Sequence, residues 1–106
     1  MDKKPVKTDK ERKLDTDIRR GKQAEHLMEL EAFKLATSSV RQAIMDKWAS
    51  SPIRDTEGQH ELRLMLKLLD DLMGNLKLAI DNGKFACNEL EIERTLAEKA
   101  KRAFTN

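Results

Sequence analysis

Tyrosine is absent from the 106 residues, and Phe33, Trp48, Phe85 and Phe104 are the only aromatic side chains, 4% of the chain. Strands favour aromatic and β-branched residues in period-two alternation, and no such run bounded by turn residues occurs, so a β-sandwich fits badly. A single cysteine, Cys87, leaves no partner for an intramolecular disulfide and no CxxC spacing for metal or redox chemistry, the usage expected of a cytosolic chain. No segment reaches the roughly 18 consecutive apolar residues of a membrane span. The lysines of Met1-Asp2-Lys3-Lys4-Pro5 are followed by no apolar stretch, so neither insertion into a membrane nor secretion is expected. The four glycines, Gly21, Gly58, Gly74 and Gly83, stand alone. That leaves no glycine-rich phosphate loop and no dinucleotide fingerprint, and no nucleophile motif is present either.

Charge is abundant by contrast: 38% of residues are charged, against roughly 25% in ordinary soluble domains. Surface is therefore large relative to core, and the core must be aliphatic. The net charge of +2 is uneven. Residues 1–22 hold nine Lys/Arg and five Asp/Glu, and the remaining residues hold twelve and fourteen. This leading segment has only Val6, Leu14 and Ile18 as sizeable apolar side chains, too few to offset the entropy of ordering it. It reads as a disordered or loosely helical basic arm ahead of a helical domain spanning 23–106.

The aliphatics carry a clear period. Leu62, Leu66, Leu69, Met73, Leu76 and Ile80 recur at spacings of four and three, which is one face of a long helix. Leu64, Leu68, Leu72 and Ala79 widen the stripe beyond what a single partner helix covers. A preceding helix, about 22–49, follows from Leu27, Leu30, Phe33, Ala36, Val40, Ile44 and Trp48, and stops at Ser50-Ser51-Pro52 because proline disfavours helical geometry in the residue before it. The next helix, about 56–82, starts at a capping box, Thr56-Glu57-Gly58-Gln59, with Asp55 as a competing cap, and closes at Gly83. Leu90, Ala97, Ala100 and Phe104 mark a third, about 85–103, for which Gly83 is a reversal or a hinge. The expected fold is all-α: a long antiparallel αα-hairpin plus a C-terminal helix. Because two laid-together arms leave leucines exposed, oligomerisation into a helical bundle is expected to complete it.

No constellation points to a reaction. His26 and His60 start different arms of an antiparallel hairpin, so with Cys87 they do not make the three or four clustered ligands of a metal site. Asp70 and Asp71 are adjacent on a helix and point about 100° apart, and Glu89, Glu91 and Glu93 spread around theirs, so solvated faces are the simpler account. No enzyme activity, cofactor or metal is expected. Gly74, inside a helix, marks either a close approach or a tolerated surface position.

Lys3, Lys4, Lys7, Lys10, Arg12, Lys13, Arg19, Arg20 and Lys22 form the one candidate nucleic-acid footprint, weakened by the interleaved Asp2, Asp9, Glu11, Asp15 and Asp17 and by the lack of stacking aromatics, and a solubilising or partner-docking tail is the simpler account. Trp48, beside the turn, either anchors a partner at the hairpin tip or caps the end of the bundle against Ile53 or Leu62.

Three segments, Ser51-Pro52-Ile53-Arg54-Asp55-Thr56-Glu57-Gly58, Leu62-Arg63-Leu64-Met65-Leu66-Lys67-Leu68-Leu69-Asp70, and Gly83-Lys84 with Ala86, resemble a family of small uncharacterised helical proteins of tailed bacteriophages and prophages. They cover about a third of the chain, and the first is the most distinctive. The resemblance implies a phage context in the host cytoplasm or the virion, and brings no catalytic or binding residue. The expectation is a non-enzymatic interaction protein tied to virion structure or assembly, with copies of itself and other phage proteins as partners. The alternatives are a nucleic-acid-associated regulator using the basic arm, or a small inhibitor of a host protein.

Overall fold

A computed structural model describes residues 7–105, which form α1 (Asp9–Glu29), α2 (Glu31–Ser50) and α3 (Thr56–Thr105), with no strand among the described residues. The chain divides into two compact units, one of Met1–Ala24 with Leu78–Asn106, the other Glu25–Lys77.

In the first unit, α1 begins at Asp9 rather than near Gly21, so most of the expected arm is ordered helix. Its start is specified locally. The Thr8 hydroxyl accepts the Glu11 amide at 3.2 Å, and Asp9 and Glu11 place negative charge in the first turn, where the helix dipole favours it. Leu14, Gly21 and Ala24 are its buried residues. A count of bulky side chains misses this burial, because two of the three are small and let backbone pack on backbone.

Gly21 and Gly83 make that approach. A Cβ built on Gly21 would stand 2.9 Å from the Gly83 Cα and 2.9 Å from the Ala79 carbonyl oxygen; one built on Gly83 would stand 3.0 Å from the Asp17 carbonyl oxygen. Lys10 meets Glu93 and Gly21 meets Gly83, so α1 runs antiparallel to the second half of α3. Gly83 neither reverses nor closes a helix: no described glycine has positive φ, and α3 continues through it for 50 residues. The expected separate helix at 85–103 is the second half of α3, helical to Thr105.

The second unit pairs α2 with the first part of α3. Ile44 and Leu62 are each 7% exposed, and the Arg41 guanidinium bonds the Asp70 carboxylate at 2.8 Å, fixing an antiparallel register. The turn between them closes on Trp48, whose carbonyl accepts both the Ser51 amide and the Ser51 hydroxyl. Asp55 caps α3 by accepting the Gly58 amide at 3.0 Å. The expected Thr56 capping box is not formed, because the Gln59 side-chain amide donates instead to the Pro52 carbonyl at 3.1 Å.

Leu30 ends α1 and starts α2, splitting the expected helix 22–49. Its φ of −64° and ψ of 126° are extended, its amide turns to Leu27, and no side chain caps α2. Nothing from Met28 to Phe33 breaks a helix by propensity. The break can be tested with Glu31→Pro. Proline suits the first position of a helix and favours extended geometry in the residue before it, so this variant should keep its melting temperature within a few degrees. In an unbroken helix it would cost about 3 kcal/mol, which circular dichroism melts would register as a large drop.

Candidate interaction surfaces

The stripe expected to form the core or self-association face lies on the less exposed side of α3: Leu62 is buried, and Leu66, Leu69, Met73, Leu76 and Ile80 are half-buried. The flanking leucines are another matter. Leu64, Leu68 and Leu72 are exposed, Leu68 by 69%. Together with Met65 from α3 and Val40 and Ala43 from α2, Leu68 lines an open groove of ≈ 380 Å³ whose floor is Ile44 and Leu62. The only charged side chain along it is Lys47.

Helical geometry explains why this side is apolar. At about 100° per residue, Val40 and Ala43 lie to one side of Ile44 and Arg41 to the other, while Met65, Leu68 and Leu72 lie to one side of Leu62 and Asp70 to the other. The Arg41–Asp70 pair therefore stands on the opposite flank from the groove. The helix pair has one charged side and one that is apolar apart from Lys47 and Glu61 near the turn.

In the first unit, Leu78, Phe85, Ile92 and Leu96 are exposed, Phe85 by 67%. Each falls about 140–180° around α3 from Gly83, hence away from α1. They make a second exposed apolar row.

The basic residues separate by role once α1 is helical. Lys7 pairs with Asp15, and Lys10 with Glu93 at 2.6 Å; the hydrogen-bonded Glu93 carboxylate holds the Lys10 ammonium pKa above its ordinary value. Arg12 has only a distant contact, 3.9 Å, with Asp9. Lys13, Arg19, Arg20 and Lys22 are exposed. Lys3 and Lys4 lie outside the described residues.

Trp48 is half-buried in the last turn of α2, and His26 and His60 are exposed. Cys87 is exposed as well. Among the described residues no polar or charged side chain is buried, and no three of His, Cys, Asp and Glu cluster in a way that could hold a metal ion. Nor is any described helix long and apolar enough to cross a membrane. What these side chains offer is surface, one apolar and one basic.

No protein-family model matches the chain, and neither does any curated protein or solved structure.

Proposed function

We propose that this chain is a non-enzymatic interaction protein of a tailed phage that acts by self-association, as a structural or assembly-associated component of the virion. The phage context rests on the resemblance carried by Ser51–Gly58 and the leucine-rich segment after it, and it places the chain in the host cytoplasm or the particle. Self-association rests on exposed area.

On the α2/α3 pair Val40, Leu64, Met65, Leu68 and Leu72 are each about half exposed or more, an apolar area of the kind that lone chains rarely leave in water. The apolar side of the α2/α3 pair is the face a second copy covers. Two such sides packed together make a four-helix bundle with the leucines inside and the Arg41–Asp70 flank in water. Lys47 alone along the groove means that a second copy meets little like charge.

Leu68→Glu tests the reading. In a lone chain Leu68 is 69% exposed, so a charge there changes stability by no more than about 0.5 kcal/mol. In a two-fold bundle the same change buries two unpaired carboxylates and weakens association by at least about 100-fold. Sedimentation velocity should show the variant as a helical monomer under conditions where the parent is a multimer. A variant with the parent's mass would remove this face from the account. Co-sedimentation of the parent with phage particles checks the virion assignment separately.

A further inference from the structure

The acids and bases of α1 alternate in sequence, and the helix leaves Arg12 and Arg19 on an arc without acids. Taking Gly21 as the centre of the side against α3, Leu14 and Asp17 fall within about 40° of it, while Arg12, Thr16, Arg19 and Gln23 fall about 140–180° away and Lys13, Arg20 and Lys22 about 80–100° away. By the same count Glu11 and Asp15 lie at about 80° and 120° on the flank of Lys22, and Asp9 at about 120° on the flank of Lys13 and Arg20. Glu11, Asp15 and Asp17 are half-buried, whereas Arg12, Lys13, Arg19, Arg20 and Lys22 are exposed. Asp15 is engaged by Lys7, and the one exposed acid among residues 9–24 is Asp9, in the first turn. On the folded helix the interleaving of opposite charges is therefore lessened: Asp17 faces α3, Asp15 is taken by Lys7, and no acid of residues 9–24 shares the arc, about 140–180° from Gly21, of Arg12 and Arg19.

The excess of cations in this unit lies in residues 1–24, since residues 78–106 hold five of each sign. Residues 1–24 with 78–106 hold fourteen Lys/Arg against ten Asp/Glu, and residues 25–77 hold seven against nine.

We propose that the outward face of α1 binds the phosphate backbone of duplex nucleic acid without reading its sequence. Three of its five cations are arginines, whose planar guanidinium can take two phosphate oxygens at once. Arg12 and Arg19, like Lys13 and Arg20, are seven residues apart, about 10.5 Å along the helix, about the rise of three base pairs measured along the duplex axis at 3.4 Å each. Thr16 and Gln23 stand between the cations, and no large apolar or aromatic side chain does. Insertion into a bilayer and base stacking therefore have nothing to act through, and contact with backbone charge does. This binding is independent of the self-association proposed above.

The test is fluorescence anisotropy of a labelled 30-base-pair duplex of arbitrary sequence, titrated with the full chain from 50 to 300 mM salt. The parent should bind at 50 mM, with log K falling against log salt at a slope of about −2.7 to −4.5, the value for three to five neutralised phosphates. The triple variant Arg12→Glu, Arg19→Glu, Arg20→Glu should lose at least tenfold in affinity at 50 mM. A control with the same change in net charge, Arg63→Glu, Lys67→Glu, Lys77→Glu on α3, should lose clearly less. Should the glutamate variant prove unfolded by circular dichroism, glutamine at the same three positions carries the comparison.

No binding by the parent at 50 mM overturns the proposal, and so does an equal loss in the two triple variants. Binding to vesicles of phosphatidylcholine and phosphatidylserine at 3:1 with none to the duplex overturns it in favour of an anionic membrane surface.

Discussion

Ala86→Asp should unfold the α1/α3 pair at neutral pH, with a loss of several kcal/mol. Ala86 is 1% exposed, the least of the buried core residues, and it lies on the face of α3 between Gly83, which touches Gly21, and Glu93, which pairs with Lys10. A carboxylate there has no water, and the close helix approach leaves it no room, so desolvation and overpacking add. The loss should also depend on pH in a definite direction. Burial raises the folded-state pKa of the new carboxyl above its unfolded value of about 3.9. The electrostatic part of the penalty is therefore absent below that value and complete above the raised folded pKa. Denaturant melts at pH 4 and pH 8 should show the variant closer to the parent at pH 4. A variant as stable as the parent at pH 8 would mean that Ala86 does not face α1.

Alanine replacing glycine should stabilise at one position of α3 and bring no gain at another. Inside a helix the exchange favours alanine by about 1 kcal/mol. At Gly74 nothing stands within 4 Å of the added Cβ, so Gly74→Ala should gain that amount and raise the melting temperature by several degrees. At Gly83 the added methyl would meet the Gly21 Cα at 2.9 Å and the Asp17 carbonyl oxygen at 3.0 Å. Backbone cannot swing aside as a side-chain tip does, so the helices must part and the packing around Leu14, Ala24 and Ala86 loosens. That cost, about 1–3 kcal/mol, outweighs or cancels the gain in propensity, and Gly83→Ala should melt lower than Gly74→Ala in parallel scans. If both variants melt higher than the parent by the same amount, the two glycines do not meet.

The glycine pair also shows why the sequence was only partly legible. The stripe from Leu62 to Ile80 could be read from its spacing, because bulky aliphatics at threes and fours announce a helix face without further context. The same rhythm runs on through Gly83, Ala86, Leu90 and Glu93, but its first two members there are small, and a lone glycine at the end of a leucine run resembles a helix stop. A small residue at a stripe position equally marks the place where two helices touch, and only the location of Gly21 separates the two meanings.

The start of α1 had a signal of its own: Thr8 followed three residues later by Glu11 is a capping box. A count of bulky side chains overlooks it, because Gly21 and Ala24 are among the buried residues of this helix. The break at Leu30 is different. Every residue around it favours helix, and no local pattern encodes the break. The basic face was visible as composition alone, since the separation of Asp17 from Arg19 and Arg20 needs the helix to exist first.

Self-association through the leucine-rich side of the α2/α3 pair is the central claim, and absolute mass in solution tests it most directly. Light scattering behind size exclusion, over a hundredfold range of concentration, should give a multiple of 12.2 kDa at high concentration and through most of the range. A mass of one chain throughout would contradict the account, and would leave Leu64, Leu68 and Leu72 in water with no second copy to cover them.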